Sequence, residues 1–223
     1  MDAAIPVTEI SRFHENPRQA PVVFVVDDDV SVCESLELLI RHEGWQSETF
    51  DSAQQFLARP RCTAPCCLVL DVSLPGLNGL ELQTQLRDRT NMPIIFITGH
   101  GNVRMTVQAM KAGAVEFLTK PVEYDVMVKA IRGAITQSRA AHRHDSALQT
   151  LRERYESLST RERQVMELVV SGMLNKQVGS ELGICEITVK AHRGQVMRKM
   201  KADSVPDLVM MAVRLGLRSL PTH

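Results

Sequence analysis

VVFVVDDDV, running from Val22 to Val30, sets five apolar residues directly against three aspartates. Adjacent carboxylates repel one another, and a hydrophobic strand beneath them limits how far water can screen that repulsion. A cation must compensate, so this junction marks a strand end that carries chemistry. Four further short runs follow: WQSETF, CCLVL, PIIFI and AVEFL, with amphipathic stretches such as SVCESLELLIRHEG and NVRMTVQAMKAG between them. That alternation predicts βαβ units and a parallel sheet covered on both faces. Right-handed crossovers bring every carboxyl end of such a sheet to one edge, where open α/β sheets bind their ligands.

Reading only those ends gives Asp27 and Asp28 after the first run, Asp71 after the third, Thr98 after the fourth and Lys120 after the fifth. Three carboxylates and one ammonium leave −2, which one divalent ion with oxygen ligands offsets. Mg²⁺ fits, because it prefers an octahedral oxygen shell, keeps waters and takes only one or two direct carboxylates. A carboxylate beside Mg²⁺, a lysine and a hydroxyl can accept a phosphoryl group: the cations neutralise its oxygens while the carboxylate attacks in line. Asp71 is the expected nucleophile. Asp29 reads as a turn residue or as a cap for a helix beginning near Ser31.

A chain of 223 residues suits two domains. No apolar run approaches the ~20 residues needed to span a bilayer, and MDAAIPVTEISRFHENPRQA lacks the basic start and apolar core of a signal peptide, so a cytoplasmic protein without membrane partners is expected. Five cysteines, three of them in RCTAPCC (Cys62, Cys66, Cys67), do not make a secreted disulfide framework. They read first as small packed residues, with metal binding or redox sensing as the alternative. The net charge of zero hides an asymmetry. Residues 21–138 hold 10 basic and 14 acidic side chains, and residues 158–223 hold 10 basic and 6 acidic. The acidic and basic halves therefore have different partners. Between them RAAHRHDSALQTLRERYES, without Gly or Pro, predicts a helical connector over residues 139–157, and residues 1–20 form an N-terminal tail.

The acidic half resembles the receiver domain of bacterial two-component response regulators from about Pro21 to Ser138. VVDDD supplies the acidic pair, LVLDVSLPGLNGLEL the acceptor, FITGHG the hydroxyl and KAGAVEFLTKP the lysine. The resemblance implies a five-stranded sheet of flavodoxin-like order 2-1-3-4-5. It implies that Asp28 ligates Mg²⁺ directly, Asp27 through water, and that Asp71 is phosphorylated while the Ser73 backbone carbonyl completes the protein ligands. Thr98 and Lys120 would bind the phosphoryl oxygens, Phe117 would stand at the aromatic switch position, and Lys120–Pro121 would be a cis peptide. Two enzymatic readings fare worse. A dinucleotide-binding oxidoreductase needs a Gly-rich turn where this chain has DDD. An aspartate-nucleophile phosphatase needs an acid two residues after the nucleophile, where Ser73 stands. Turnover of an external substrate is not expected.

In the basic half, Ser159 followed three residues later by Glu162 is a capping box that starts a helix. A short helix from about Asn175 to Leu182, a turn at Gly183 and a longer helix from about Glu186 to Met200 make a helix-turn-helix. On the longer helix Val189, Val196 and Met200 share the inward face, while Ile187, Lys190, Ala191 and Gly194 share the outward one. Small neighbours let such a helix lie deep in a DNA major groove, with Lys190 reaching guanine and Ala191 close to a thymine methyl. Lys176, Thr188, His192, Arg193, Arg198 and Lys199 are expected on the phosphate walls.

LSTRE, SGMLNKQV, LGI and TVKAHRGQVMRKM resemble the LuxR-type four-helix DNA-binding domain over about Leu158 to Leu217. Cys185 stands where that family generally has a capping serine, and Gly194 where a larger polar residue often faces the bases. SVPDLVMMAVRLGL would form the last helix, commonly a dimer contact in this family. Together the halves resemble the NarL/FixJ branch of response regulators. The resemblance implies a sensor histidine kinase as phosphodonor, a homodimer on phosphorylation, a twofold-symmetric site on double-stranded DNA, and RNA polymerase as a further partner. The alternative is a receiver-type regulator whose DNA binding is independent of phosphorylation.

Overall fold

The computed structural model describes residues 20–86 and 92–217. The expected tail, Ala20 apart, lies outside the described residues. The chain divides into two compact units between His142 and Arg143, within the stretch read as a connector.

The first unit contains β1 (Val22–Val26), α1 (Val30–His42), β2 (Gln46–Phe50), α2 (Ala53–Ala58), β3 (Cys66–Asp71), α3 (Gly79–Gln85), β4 (Ile94–Thr98), α4 (Val103–Lys111) and β5 (Glu116–Thr119). The helix that follows, α5 (Tyr124–Glu156), contains the unit boundary and covers nearly all of the expected connector. The sheet is parallel throughout, in the order β2-β1-β3-β4-β5. Because side chains alternate along a strand, β1 sends Phe24 and Val26 to one face and Val23 and Val25 to the other. Phe24, Phe56, Leu70, Leu82 and Phe96 form the core on the first face; Val25, Ile40, Val69, Ile97 and Ile131 form the core on the second. Every residue of β1, β3 and β4 is buried, which is why those runs are continuously apolar, whereas β2 and β5 lie at the edges and carry exposed polar residues.

Side-chain caps fix where the helices start. Asp29 caps α1 by accepting the N–H of Ser31 at 2.9 Å, Asn78 and Glu81 form a capping box on α3, and Asn102 caps α4. Gly79 opens α3 against the end of β3: a Cβ there would lie 2.4 Å from the backbone oxygen of Asp71 and 3.1 Å from the Phe96 ring. Backbone cannot yield as a flexible side chain would. Gly79→Ala should therefore cost about 1–3 kcal/mol, as overpacking of cores does, and displace the turn after Asp71. Chemical denaturation checks the first expectation, and an unchanged midpoint would show that α3 can shift freely.

In the second unit, α6 (Thr160–Val170), α7 (Asn175–Leu182), α8 (Glu186–Met200) and α9 (Val205–Arg214) enclose Val165, Met166, Val178, Val189, Val196 and Leu208. Ser159 and Glu162 make the expected capping box. Gly183 ends α7 in the left-handed conformation, at φ 64°, a geometry glycine adopts without a Cβ penalty. Lys201 ends α8 in the same conformation at φ 56°, which the sequence does not announce.

Candidate functional site

The strand order brings the singled-out residues to one edge of the sheet. β1 delivers Asp27, 1 % exposed, and the exposed Asp28; β3 ends on Asp71, 3 % exposed; β4 ends on the buried Thr98; and Lys120 follows β5. One oxygen from each of Asp27, Asp28 and Asp71 lies within 4.8 Å of the others. The Lys120 ammonium donates to Asp27 Oδ2 at 2.6 Å and stands 3.4 Å from Asp71 Oδ1. The Lys120 backbone N–H donates to the Thr98 carbonyl at 2.8 Å, and Lys120–Pro121 is cis.

Each carboxylate is held differently. Asp27 has both oxygens engaged, Oδ1 by the N–H of Asp29 at 3.0 Å and Oδ2 by Lys120. Asp71 Oδ2 accepts the N–H of Ser73 at 3.0 Å, while Oδ1 is buried without a hydrogen bond. Asp28 lies open to solvent. Burial pushes the Asp27 carboxyl above its ordinary 3.8, against the hydrogen bond and charge of Lys120, and the Asp71 charge adds to the rise. Burial also works against the Lys120 charge, but the hydrogen bond it donates to Asp27 and the charges of both aspartates outweigh it and hold the ammonium above its ordinary 10.5. The donor set is all oxygen, and the unbonded Asp71 Oδ1 and the exposed Asp28 can take a hard cation. That combination fits Mg²⁺, which needs few direct carboxylates.

Thr98 Oγ1 accepts the N–H of His100 at 3.2 Å. The half-buried Phe117 ring lies 6.0 Å from that of Phe96, and a Cβ on Gly101 would come within 3.0 Å of Thr98 Cγ2 and 3.1 Å of Phe117 Cε1. Glycine at 101 thus lets the Phe117 ring pack beside Thr98. Sequence reading missed both Gly79 and Gly101; LNG and GHG were their only signals, and the close approaches depend on how loop and strand meet.

On α8, Val189, Val196 and Met200 are buried, and Lys190, Ala191 and Gly194 are exposed together with Ile187, which is 78 % exposed. Lys190 pairs with Glu186 at 3.0 Å on the surface, and Lys176 is exposed on α7. Cys185 makes no side-chain cap; its Sγ lies 3.0 Å from Thr188 Oγ1. His192 is half-buried, Arg193 donates to Asn175 Oδ1 at 3.0 Å, and Arg198 donates to Gln195. Lys199 is half-buried. Its ammonium donates to Glu162 Oε2 at 2.6 Å and to the Ser157 carbonyl at 3.2 Å, so its charge is already occupied within the unit. The hydrogen bond from Lys199, joined by the N–H of Ser159, holds the Glu162 carboxyl below its ordinary 4.5.

No helix among the described residues is long and apolar enough to cross a membrane. Residues 23–132 match the response regulator receiver domain, and residues 156–212 match the bacterial regulatory proteins of the luxR family. Nodulation protein W of Bradyrhizobium diazoefficiens is 46 % identical over 211 residues, covering 94 % of this chain and 93 % of that one. Transcriptional regulatory protein FixJ of Rhizobium meliloti is 43 % identical over 195 residues, 87 % of this chain and 96 % of its own. The structure of response regulator StyR superposes with a TM-score of 0.79 at 44 % identity, covering 87 % of this chain and 99 % of that one. With a receiver fold that gathers an aspartate, a lysine and a hydroxyl, and a helix-turn-helix later in the chain, this chain belongs to the two-component response regulators that carry a LuxR-type DNA-binding domain.

Proposed function

We propose that Asp71 accepts a phosphoryl group from a sensor histidine kinase in a Mg²⁺-dependent reaction, and that this promotes dimerisation and regulation of transcription by a cytoplasmic protein. The observation that carries the reading is the asymmetry at Asp71: one oxygen fixed by the Ser73 N–H, the other buried, unbonded and 3.4 Å from an ammonium. A carboxylate so oriented has one oxygen free to react. Lys120 neutralises charge arriving on the phosphoryl oxygens, and Thr98, whose oxygen accepts the His100 N–H, has its own hydroxyl proton to donate to them. Asp28 and Asp71 would hold Mg²⁺, with Asp27 acting through water and the Ser73 carbonyl completing the protein ligands. Bound there, the ion supplies the positive charge that offsets three carboxylates and an incoming phosphoryl group. Asp28→Ala should weaken Mg²⁺ binding and slow labelling while leaving the fold intact, because it removes a repulsive charge along with a ligand. An unchanged Mg²⁺ titration would remove Asp28 from the site.

Phosphorylation adds about −1.5 to −2 charge and three acceptor oxygens, which would draw Thr98 and Lys120 toward the new group and let Phe117 follow. Phe117 sits on the edge strand β5, so its movement alters an outer surface, which we assign to dimerisation. Two linked basic units then bind two half-sites about one helical turn apart, the second at high effective concentration. Lys190, Ala191 and Ile187 face the bases in this reading, and Lys176, Thr188, His192, Arg193 and Arg198 meet phosphates; Lys199 is withdrawn from that set by its pairing with Glu162. The test is labelling of the intact chain with acetyl phosphate and Mg²⁺, followed by sedimentation and footprinting. Phosphorylation should raise both the dimer fraction and the DNA affinity. Equal values with and without it would favour DNA binding independent of phosphorylation.

A further inference from the structure

The outward face of α8 carries a side chain that the folding of its unit does not account for. Ile187 is 78 % exposed, the most exposed of the large apolar side chains described in the second unit, ahead of Leu174 at 71 %. Among the described residues it belongs neither to the core of that unit nor to the apolar residues packed against it. Isoleucine is also a poorer helix former than alanine, because its branched Cβ restricts χ1. Neither packing nor helix propensity therefore selects it. An apolar group held in water is stabilised by a partner that covers it.

Its neighbours narrow the chemistry of that partner. At helical spacing Ile187 shares its face with Lys190, Ala191 and Gly194, all exposed, and a Cβ on Gly194 would meet nothing within 4 Å. Small residues at 191 and 194 let an opposing surface come close to the helix backbone, with Ile187 projecting beside them. The charges at this end of α8, Glu186 and Lys190, pair with each other at 3.0 Å and offset one another. The start of the helix thus presents an apolar ridge next to one ion pair. It is also the end from which a recognition helix contacts base edges, and Ile187 stands in its first turn. In the major groove the apolar feature is the C5 methyl of thymine, which cytosine lacks. A β-branched side chain suits it, because χ1 of isoleucine is nearly fixed on a helix and little rotamer freedom is lost on contact.

We propose that Ile187 is a specificity-determining residue that reads a thymine in the major groove through its C5 methyl group. This rests on the reading of α8 as the helix that faces the bases, and adds which base feature it recognises there. The isoleucine side chain has no hydrogen-bonding group, so the methyl alone is read. Uracil at that position keeps the O4 acceptor and the pairing with adenine but loses the contact.

The experiment lets the full-length chain, with and without acetyl phosphate and Mg²⁺, select duplexes from a random-sequence pool. The preferred duplex is resynthesised with deoxyuridine in place of one thymidine at a time, and the unmodified chain and Ile187→Ala are titrated on each. At one thymine of a half-site, loss of the methyl should weaken the unmodified chain about fourfold, the value of one buried methyl group. Ile187→Ala should bind the thymine and uracil forms of that position equally, and no more tightly than the unmodified chain binds the uracil form. Its melting should match that of the unmodified chain, since the side chain is exposed. The inference is overturned if every methyl-sensitive thymine stays equally sensitive in Ile187→Ala, or if the preferred duplex has no methyl-sensitive thymine. Failure to enrich any duplex would instead overturn the reading of α8 as the base-facing helix, and this inference with it.

Discussion

Replacing Asp71 by Asn is expected to abolish phosphoryl incorporation from acetyl phosphate, with the label falling to background. The amide keeps the size of the side chain, and its oxygen can still accept the Ser73 N–H that holds Oδ2 at 3.0 Å. What disappears is the nucleophile, because a neutral amide does not form the acyl phosphate. The substitution also removes one of the two carboxylates beside Lys120; the ammonium keeps its 2.6 Å bond to Asp27, so the fold is expected to survive. Intact-protein mass spectrometry checks the label, and circular dichroism checks the fold. Equal labelling in a folded Asp71→Asn chain would place the acceptor elsewhere. Removing divalent ions with a chelator should give the same loss in the unmodified chain, reversibly.

The second large effect is on stability. Lys199→Met should destabilise the DNA-binding unit by about 2–3 kcal/mol, less than breaking a fully buried pair costs, because Lys199 is partly exposed. The Glu162 side chain is 8 % exposed and Lys199 30 %, so removing the ammonium strands a carboxylate at the start of α6 and leaves the Ser157 carbonyl without that donor. Lys190→Ala should instead leave melting unchanged, since the Lys190–Glu186 pair is an exposed one on a single helix, and weaken specific DNA binding by about 1–3 kcal/mol. Melting and footprinting at two salt concentrations separate the two. A Lys199→Met chain that melts like the unmodified one but binds DNA with a shallower salt dependence would return Lys199 to the groove wall.

The same pair sets a pH dependence. Glu162 is held below its ordinary 4.5 by Lys199 and by the Ser159 N–H, so its contribution is present above 4.5 and is lost as pH falls through the lowered value. Glu162→Gln should flatten the acid limb of the unfolding profile of this unit. An identical acid limb in the variant would mean that other carboxylates govern it.

Much of this architecture was legible in the sequence because the central strands are buried on both faces, and VVFVV, CCLVL and PIIFI could be little else. The site was legible for a related reason: parallel strands with right-handed crossovers put their carboxyl ends together, so Asp27, Asp71 and Thr98 could be paired without knowing a distance. What escaped were relations across the fold. The pairing of Lys199 gave no sign because its partner, Glu162, lies two helices earlier and already had a visible role in a capping box. Gly79 looked like a turn residue because nothing in LNG reports a carbonyl 2.4 Å from where a Cβ would stand. Arg59 gave no signal that its guanidinium would stack on Phe24, since arginine in a loop is ordinarily solvated.

The burial pattern of the sheet also divides the receiver unit by its tolerance to inherited change. Asp27, Asp71 and Thr98 hang from interior strands, where most substitutions perturb packing before they can alter chemistry, so lineages can vary these supports very little. Phe117 and Lys120 lie on or just after β5, an edge strand of four residues with none fully buried. Inherited change is therefore expected to accumulate around Phe117 on that margin while Asp71 stays constant.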